Sequence, residues 1–343
     1  MNIIGESSRS TFPTTGMAIL VSSIVLLLAL LFLACSNPTE PEATDNPYLR
    51  RLAVGEPYDG FPHGGSVNFP VWSPDGSSIY YLNILGIWSE GILRQNKQIR
   101  KIDASGGESE VVMEGNFIYL AISPDGSKLA SNIDNGGRAI PLGRGKPVII
   151  DIASKTVDTL DIDAPLESGP VRFSITGDSL FFYAFYIDSI KGSWISSYYW
   201  GAFFVYDLNN GTCTKLFEEN PYLVAGFDIT PDGQKIVASG KIRNIDGSDE
   251  QQLTNVGIWQ TISPDGNYVV GGFGRELFRG NYVSLTYLPD DSLIRNLDLF
   301  ADPAALYGEF SFSPDGNKIA FAVCVAWDPF SYGNSFICVL DQI

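Results

Sequence analysis

Histidine is nearly absent from this chain: His63 is the only one among 343 residues. A metal centre built from several imidazoles is therefore excluded, as is the His-Glu-x-x-His helix of zinc peptidases. The sequence also lacks a Gly-x-Ser-x-Gly elbow and a Walker loop, the signatures of α/β-hydrolases and P-loop nucleotide binders. Basic residues are scarce, with 22 against 39 acidic ones and a formal net charge of −17 at pH 7. A phosphate backbone would be repelled by that balance, so nucleic acid is excluded as a partner. Cysteines number four, Cys35, Cys213, Cys324 and Cys338. Without Cys35 the remainder is odd and cannot all pair. What the chain does have is apolar material. At 45% hydrophobic and 13% aromatic residues it can bury a large core, which rules out bulk disorder.

The stretch from Met17 to Ala34 reads MAILVSSIVLLLALLFLA without a charge, runs into Cys35-Ser36, and is followed by the polar NPTEPEATDNP. An apolar run that stops in small residues beside one cysteine resembles a bacterial lipoprotein signal, with Phe32-Leu33-Ala34-Cys35 as its lipobox. The resemblance implies that residues 1–34 are removed and that Cys35 becomes a lipidated N-terminus. It also implies that residues 35–47 form a polar tether to a body lying outside the cytoplasm, on the periplasmic or extracellular side of the cell envelope. The alternative is an uncleaved membrane helix, because the run sits at the short end of a bilayer span.

An internal repeat dominates the rest. Ser-Pro-Asp-Gly stands at Ser73–Gly76, Ser123–Gly126, Ser263–Gly266 and Ser313–Gly316, with Thr230–Gly233 as a close variant and Ser174-Ile-Thr-Gly177 as a decayed copy. The steps between successive copies are 50, 51, 56, 33 and 50 residues. Proline presets φ at the second turn position, aspartate accepts bonds from nearby backbone N–H groups, and glycine takes the left-handed conformation that closes a hairpin. An apolar strand follows each copy, and one large apolar residue precedes it: Trp72, Ile122, Phe173, Ile229, Ile262 or Phe312. Four antiparallel strands repeated about every 50 residues, buried on both faces, make a β-propeller.

The repeat resembles the WD-repeat-like units of the TolB propeller family, whose consensus pairs an (F/W)SPDG turn with IAF and a later (I/V)xxxD strand. The fold expected over residues 48–343 is all-β, a six-bladed propeller of four-stranded antiparallel blades, since the length leaves no room for hidden blades. The last unit shows only three strand segments, while Tyr48-Leu-Arg-Arg-Leu52 looks like an outer strand. Residues 48–53 are therefore expected to pair beside residues 336–341 and close the sixth blade.

In such a ring the tetrad turns share one face, and the connections between second and third strands share the other. That second face is where the expected insertions fall, at 84–97, 134–146, 188–200, 273–281 and 327–334. Its candidate binding residues are His63, Trp88, Trp194, Tyr198, Tyr199, Trp200, Phe278, Trp327 and Phe330, either as contacts for a ligand or as packing of the loops onto the blades. In the central channel Arg172 and Asp228 fall in neighbouring blades and are expected to pair, as a structural lock or as a ligand-orienting pair. Glu309 is expected nearer the loop-rich mouth, and Cys324 and Cys338 are either bridged or free. The function that follows is a non-catalytic, lipid-anchored module for a protein or envelope glycan or peptide ligand, without cofactor or metal. The alternative is a lactonase-like propeller hydrolase or lyase, with a cation held in the channel by residues such as Glu309, Asp228 and Asn68.

Overall fold

The computed structural model describes residues 48–341, apart from 55–56, 59–60, 65, 90–91, 135–144, 163–166, 188–197, 220–225, 255, 258, 273–282, 298–304 and 326–334. Residues 1–47, with the apolar run and Cys35, lie outside the described residues, as do 342–343. Six antiparallel sheets of four strands follow one another along the chain. Blade 1 begins at the inner strand Ser66–Trp72, blade 2 at Phe117–Ile122 and blade 3 at Glu167–Phe173. Blades 4, 5 and 6 begin at Phe227–Ile229, Trp259–Ile262 and Ala305–Phe312. Each blade interface is apolar. At the 3/4 seam, for example, Phe203 of blade 3 meets Phe227 of blade 4 edge to face with ring centroids 5.0 Å apart, and its blade 3 neighbour Phe217 lies at the same distance.

The turns explain why the tetrad recurs. In blade 1 the Gly76 N–H donates to the Ser73 carbonyl (2.9 Å) with Gly76 at φ +71°, and the Ser73 hydroxyl donates to Asp75 Oδ1 (2.6 Å). The Asp75 carboxylate also accepts from the Ser77 N–H (3.0 Å), so it holds its charge down to about pH 2. Four of the other turns repeat this bond, from the N–H of Ser127, Gln234, Asn267 and Asn317. The decayed copy keeps the backbone turn, and Asp178 takes over the bond from the Ser174 hydroxyl at 2.9 Å.

The prolines have a second use. Pro74, Pro124, Pro231, Pro264 and Pro314 each sit where they would touch a Cβ on the tetrad glycine of the next blade, at 3.2–3.7 Å. Blade 3 has Ile175 in place of proline. That side chain is 63% exposed, and the opposing Gly233 has nothing within 4 Å. Because the Ser174 turn bonds match those of its siblings, Ile175→Pro is expected to raise stability by about 0.5 kcal/mol through the unfolded chain alone. Thermal unfolding measures it. A lowered midpoint would show that the blade 3 turn departs from the proline geometry.

The sixth blade closes as expected. Leu49–Val54 pairs antiparallel with Ser335–Asp341, Leu49 opposite Leu340 and Val54 opposite Phe336, with a bulge between Arg51 and Ala53. Arg50 reinforces the seam through its Nε to Asp341 Oδ2 (2.6 Å), and Lys318 reaches Asp341 Oδ1 at 3.1 Å. Cys338 is not bridged to Cys324. Cys338 stands opposite Phe321 while Cys324 stands opposite Ser335, and the buried Cys338 is a free thiol whose pKa burial pushes up to about 12.

One expected loop is a sheet. Residues 84–97 extend the second and third strands of blade 1, Ser78–Ser89 and Ile92–Asp103, with Ser89 opposite Ile92. A nearly continuous apolar run from Ile79 to Trp88 suits a strand buried on both faces better than an irregular insertion.

Candidate functional site in the channel

The inner strands carry the channel. In blades 1, 2, 3 and 6 the pairing of inner and second strand slips by one residue, between Asn68/Val71, Ile118/Ala121, Ser168/Val171 and Gly308/Ser311. In three of these bulges the residue four places before the tetrad is left-handed: Phe69 (φ +54°), Tyr119 (+60°) and Glu309 (+60°). A non-glycine residue holds such a φ only where its surroundings impose it, and here a bulge re-aims the side chain. The same column in the other blades holds Pro170, Gly226 and Trp259, and all six residues line one cavity of about 30 Å³. Phe69 meets Tyr119 edge to face with centroids 4.8 Å apart, and Trp259 at 6.4 Å.

Two places nearer the tetrads, Arg172 and Asp228 pair across blades 3 and 4 as expected, Nε to Oδ1 at 3.5 Å. Asp228 is already committed. Its Oδ2 accepts from the Thr261 hydroxyl (2.7 Å) and the Ile262 N–H (2.9 Å) of blade 5, and its Oδ1 accepts from the Ile229 N–H (2.9 Å). Arg172 also donates to the Val171 carbonyl at 2.9 Å. Ser311 plays a similar part at the 6/1 seam, where its carbonyl accepts from Trp72 Nε1 at 3.0 Å.

Glu309 stitches the same seam from one layer up, its Oε2 accepting the Phe69 N–H. The residue as a whole is partly exposed, but its carboxyl group is enclosed, and this burial pushes its pKa up to about 8 against the opposing pull of that N–H and of Arg172. Asn68 does not join it, for its Nδ2 donates to Ser66 Oγ at 2.6 Å within its own strand. Among the described residues no three His, Cys, Asp or Glu side chains gather as metal ligands.

The loop-face candidates divide in two. Trp194, Phe278, Trp327 and Phe330 lie outside the described residues. His63 falls in the small hairpin of Pro57–Tyr58 with Phe61–Gly64, Trp88 in the long blade 1 hairpin, and Tyr198, Tyr199 and Trp200 at the start of the blade 3 strand Tyr198–Asp207. These five occupy strands rather than loops, and their side chains lie outside the description.

The aromatic column was not anticipated beyond Glu309. Its signal is present in the sequence: aligning the tetrads and reading four places back gives Phe, Tyr, Pro, Gly, Trp and Glu.

No protein-family model matches the chain, and no curated protein matches it. Solved structures do. A protein assigned as TolB in Agrobacterium tumefaciens aligns over 82% of this chain and 91% of its own, at 18% identity and a TM-score of 0.51. The fold is that of a TolB-like β-propeller. TolB from Acinetobacter baumannii aligns over 69% of the chain at 20% identity and a TM-score of 0.49, and the chain spans 55% of its length. Oligogalacturonate lyase from Vibrio parahaemolyticus aligns over 88% of this chain and 96% of its own, at 11% identity and a TM-score of 0.53. The TolB-like ring is thus also the scaffold of a lyase, and at these identities the likeness is one of fold.

Proposed function

We propose that the chain is a lipid-anchored, extracytoplasmic propeller that recognises a protein or a cell-envelope ligand on its loop-rich face and catalyses no reaction itself. The observation that carries this reading is the state of the channel. Arg172, Asp228 and Ser311 are spent on bonds between blades, and the aromatic layer above them leaves a cavity of about 30 Å³. That volume takes about one or two water molecules, far less than a sugar or a lactone. Recognition then falls to the loop-rich face, for which the sequence offers Trp194, Tyr198, Tyr199 and Trp200, large rigid rings of the kind that anchor interfaces. Cross-linking the full-length chain in native envelopes tests this. A single partner lost on Trp194→Ala with Trp200→Ala supports recognition at the rim, and one retained by that variant contradicts it.

A hydrolase or lyase with a channel cation is the second reading, favoured by the fold shared with the Vibrio lyase. It requires Asp228 to leave its blade 5 partners and Asn68 to leave Ser66. Stoichiometric metal in the purified chain, lost on Asp228→Asn with Glu309→Gln, would establish it over the first reading.

Anchoring has its own test. The mature chain is expected to begin at an acylated Cys35 and to fractionate with membranes, while Cys35→Ser leaves it unacylated with its leader attached. Each buried methylene adds about 0.8 kcal/mol, so several acyl chains hold firmly. Mass spectrometry finding residue 1 intact in the purified protein would refute the lipoprotein assignment.

A further inference from the structure

The outer strand of blade 5, Ser292–Leu297, departs from its siblings. In blades 1 and 3 the outer strand carries one inserted apolar residue where its pairing slips, Val112 and Leu216. Val112 is 8% exposed and Leu216 is half-buried, and each packs into the core at the seam with the following blade. Blade 5 has the same slip two residues nearer its tetrad turn, and there the inserted residue is Ile294. Ile294 is 51% exposed and its neighbour Leu293 is 39% exposed. The bulge that buries an aliphatic side chain in two blades therefore presents one in the third.

Ile294 lines a groove of about 700 Å³ at the 5/6 seam, on the face of the tetrad turns. Tyr268 and Phe312 give the groove apolar walls. Its charges are Asp265 of the blade 5 turn, Asp315 of the blade 6 turn and Arg295 of the outer strand. Both carboxylates accept a backbone N–H, from Asn267 and Asn317, which keeps them ionised in place. One patch thus holds a knob and a hole, and charges of both signs. A partner of a single sign would meet its own charge on one wall. A two-fold interface instead joins each feature to its complement, residue i to j and j to i. The formal charge of −17 repels a second copy over most of the surface, so contact between copies belongs where both signs stand together.

We propose that this groove is the interface of a symmetric dimer, in which the blade 5 outer strand of each copy lies between the outer strand and the blade 6 turn of the other. The order across the interface is turn, strand, strand, turn, which a two-fold axis between the two strands generates. It seats Ile294 of one copy against Phe312 of the other and brings Arg295 beside the other copy's Asp315. Leu293 and Ile294 of both copies leave water together, which supplies the apolar centre, and the charged pairs form the rim. The groove lies on the turn face, so pairing is independent of what the loop-rich face recognises. A dimer presents two such faces at once and gains avidity for a repeating ligand.

Native mass spectrometry of the full chain, released from detergent over a concentration series, is the test. The expected species is a dimer in reversible equilibrium with the single chain. Ile294→Asp, at an exposed position, is expected to leave single chains at every concentration while remaining folded by circular dichroism. Ile294→Leu is expected to keep the dimer, and Arg295→Glu to raise its dissociation constant on the order of tenfold. Val111→Asp places the same new charge at an exposed apolar position of the blade 1 outer strand (45% exposed) and is expected to change nothing. Single chains alone in the native protein, a single chain carrying some other bound species in the groove, a dimer that survives Ile294→Asp, or one lost equally in Val111→Asp would overturn the proposal.

Discussion

Raising the pH from 5 to 9 is expected to cost the native chain about 4 kcal/mol of stability, and Glu309→Gln to remove most of that loss. The folded pKa of Glu309 is about 8 against an ordinary 4.5. A carboxyl group with a raised folded pKa stabilises the fold fully below its unfolded value and loses that contribution as pH climbs through the folded one. At about 1.4 kcal/mol per pH unit, the three units from pH 5 to the folded pKa of about 8 give the figure above, equivalent to a fall in midpoint on the order of 10 °C. The turn aspartates act in a different window. Asp75 and Asp125 are held down to about 2 by hydroxyl and backbone donors, so their contribution is complete by about pH 5. Denaturant unfolding of both proteins across the pH range is the measurement. Parallel curves for native chain and variant would show that Glu309 reaches water and that the channel is open at that level.

The second large effect concerns closure. Deleting residues 48–54 is expected to lower stability by at least about 4 kcal/mol, because burying each large apolar side chain is worth about 1.5–3 kcal/mol and several are uncovered at once. The strand opposite the deletion carries Phe336, Ile337, Val339 and Leu340, all at most 3% exposed. The deletion also removes Arg50 from Asp341 and leaves a long apolar edge that invites pairing between molecules. A synthetic peptide of residues 48–54 added in trans is expected to restore the midpoint by strand addition. Calorimetry of chains beginning at residues 41 and 55 compares the two. Equal midpoints would mean that the first strand is an ornament on a ring already stable without it.

How much of this was legible depends on how local its cause is. The six turns carry their own instructions in four residues, so blade count, blade order and the closing strand could all be read from spacing. The Arg172–Asp228 pair was legible too, because both residues lie two places before a tetrad in neighbouring blades. The bulge was not. It inserts one residue into the inner strand and re-aims Phe69, Tyr119 and Glu309, a choice made by the packing of the ring and not by any turn residue. The free Cys338 thiol follows from register. Both cysteines sit on neighbouring strands, but their spacing places Ser335 opposite Cys324. The loop-face candidates are the least legible part, since residues outside the repeat obey no period, and His63, Trp88, Tyr198, Tyr199 and Trp200 fall in strands where loops were expected.

The account stands on a ring closed by its own first strand, and cross-strand chemistry tests that directly. Arg51 lies opposite the natural Cys338, while Arg50 lies opposite Val339. Each variant, Arg51→Cys and Arg50→Cys, is refolded in a glutathione redox buffer and digested. The structure predicts an intramolecular disulfide joining residues 51 and 338 in the first variant and none involving residue 50 in the second. The reverse order, or a bridge that forms only between two molecules, would contradict the closed propeller.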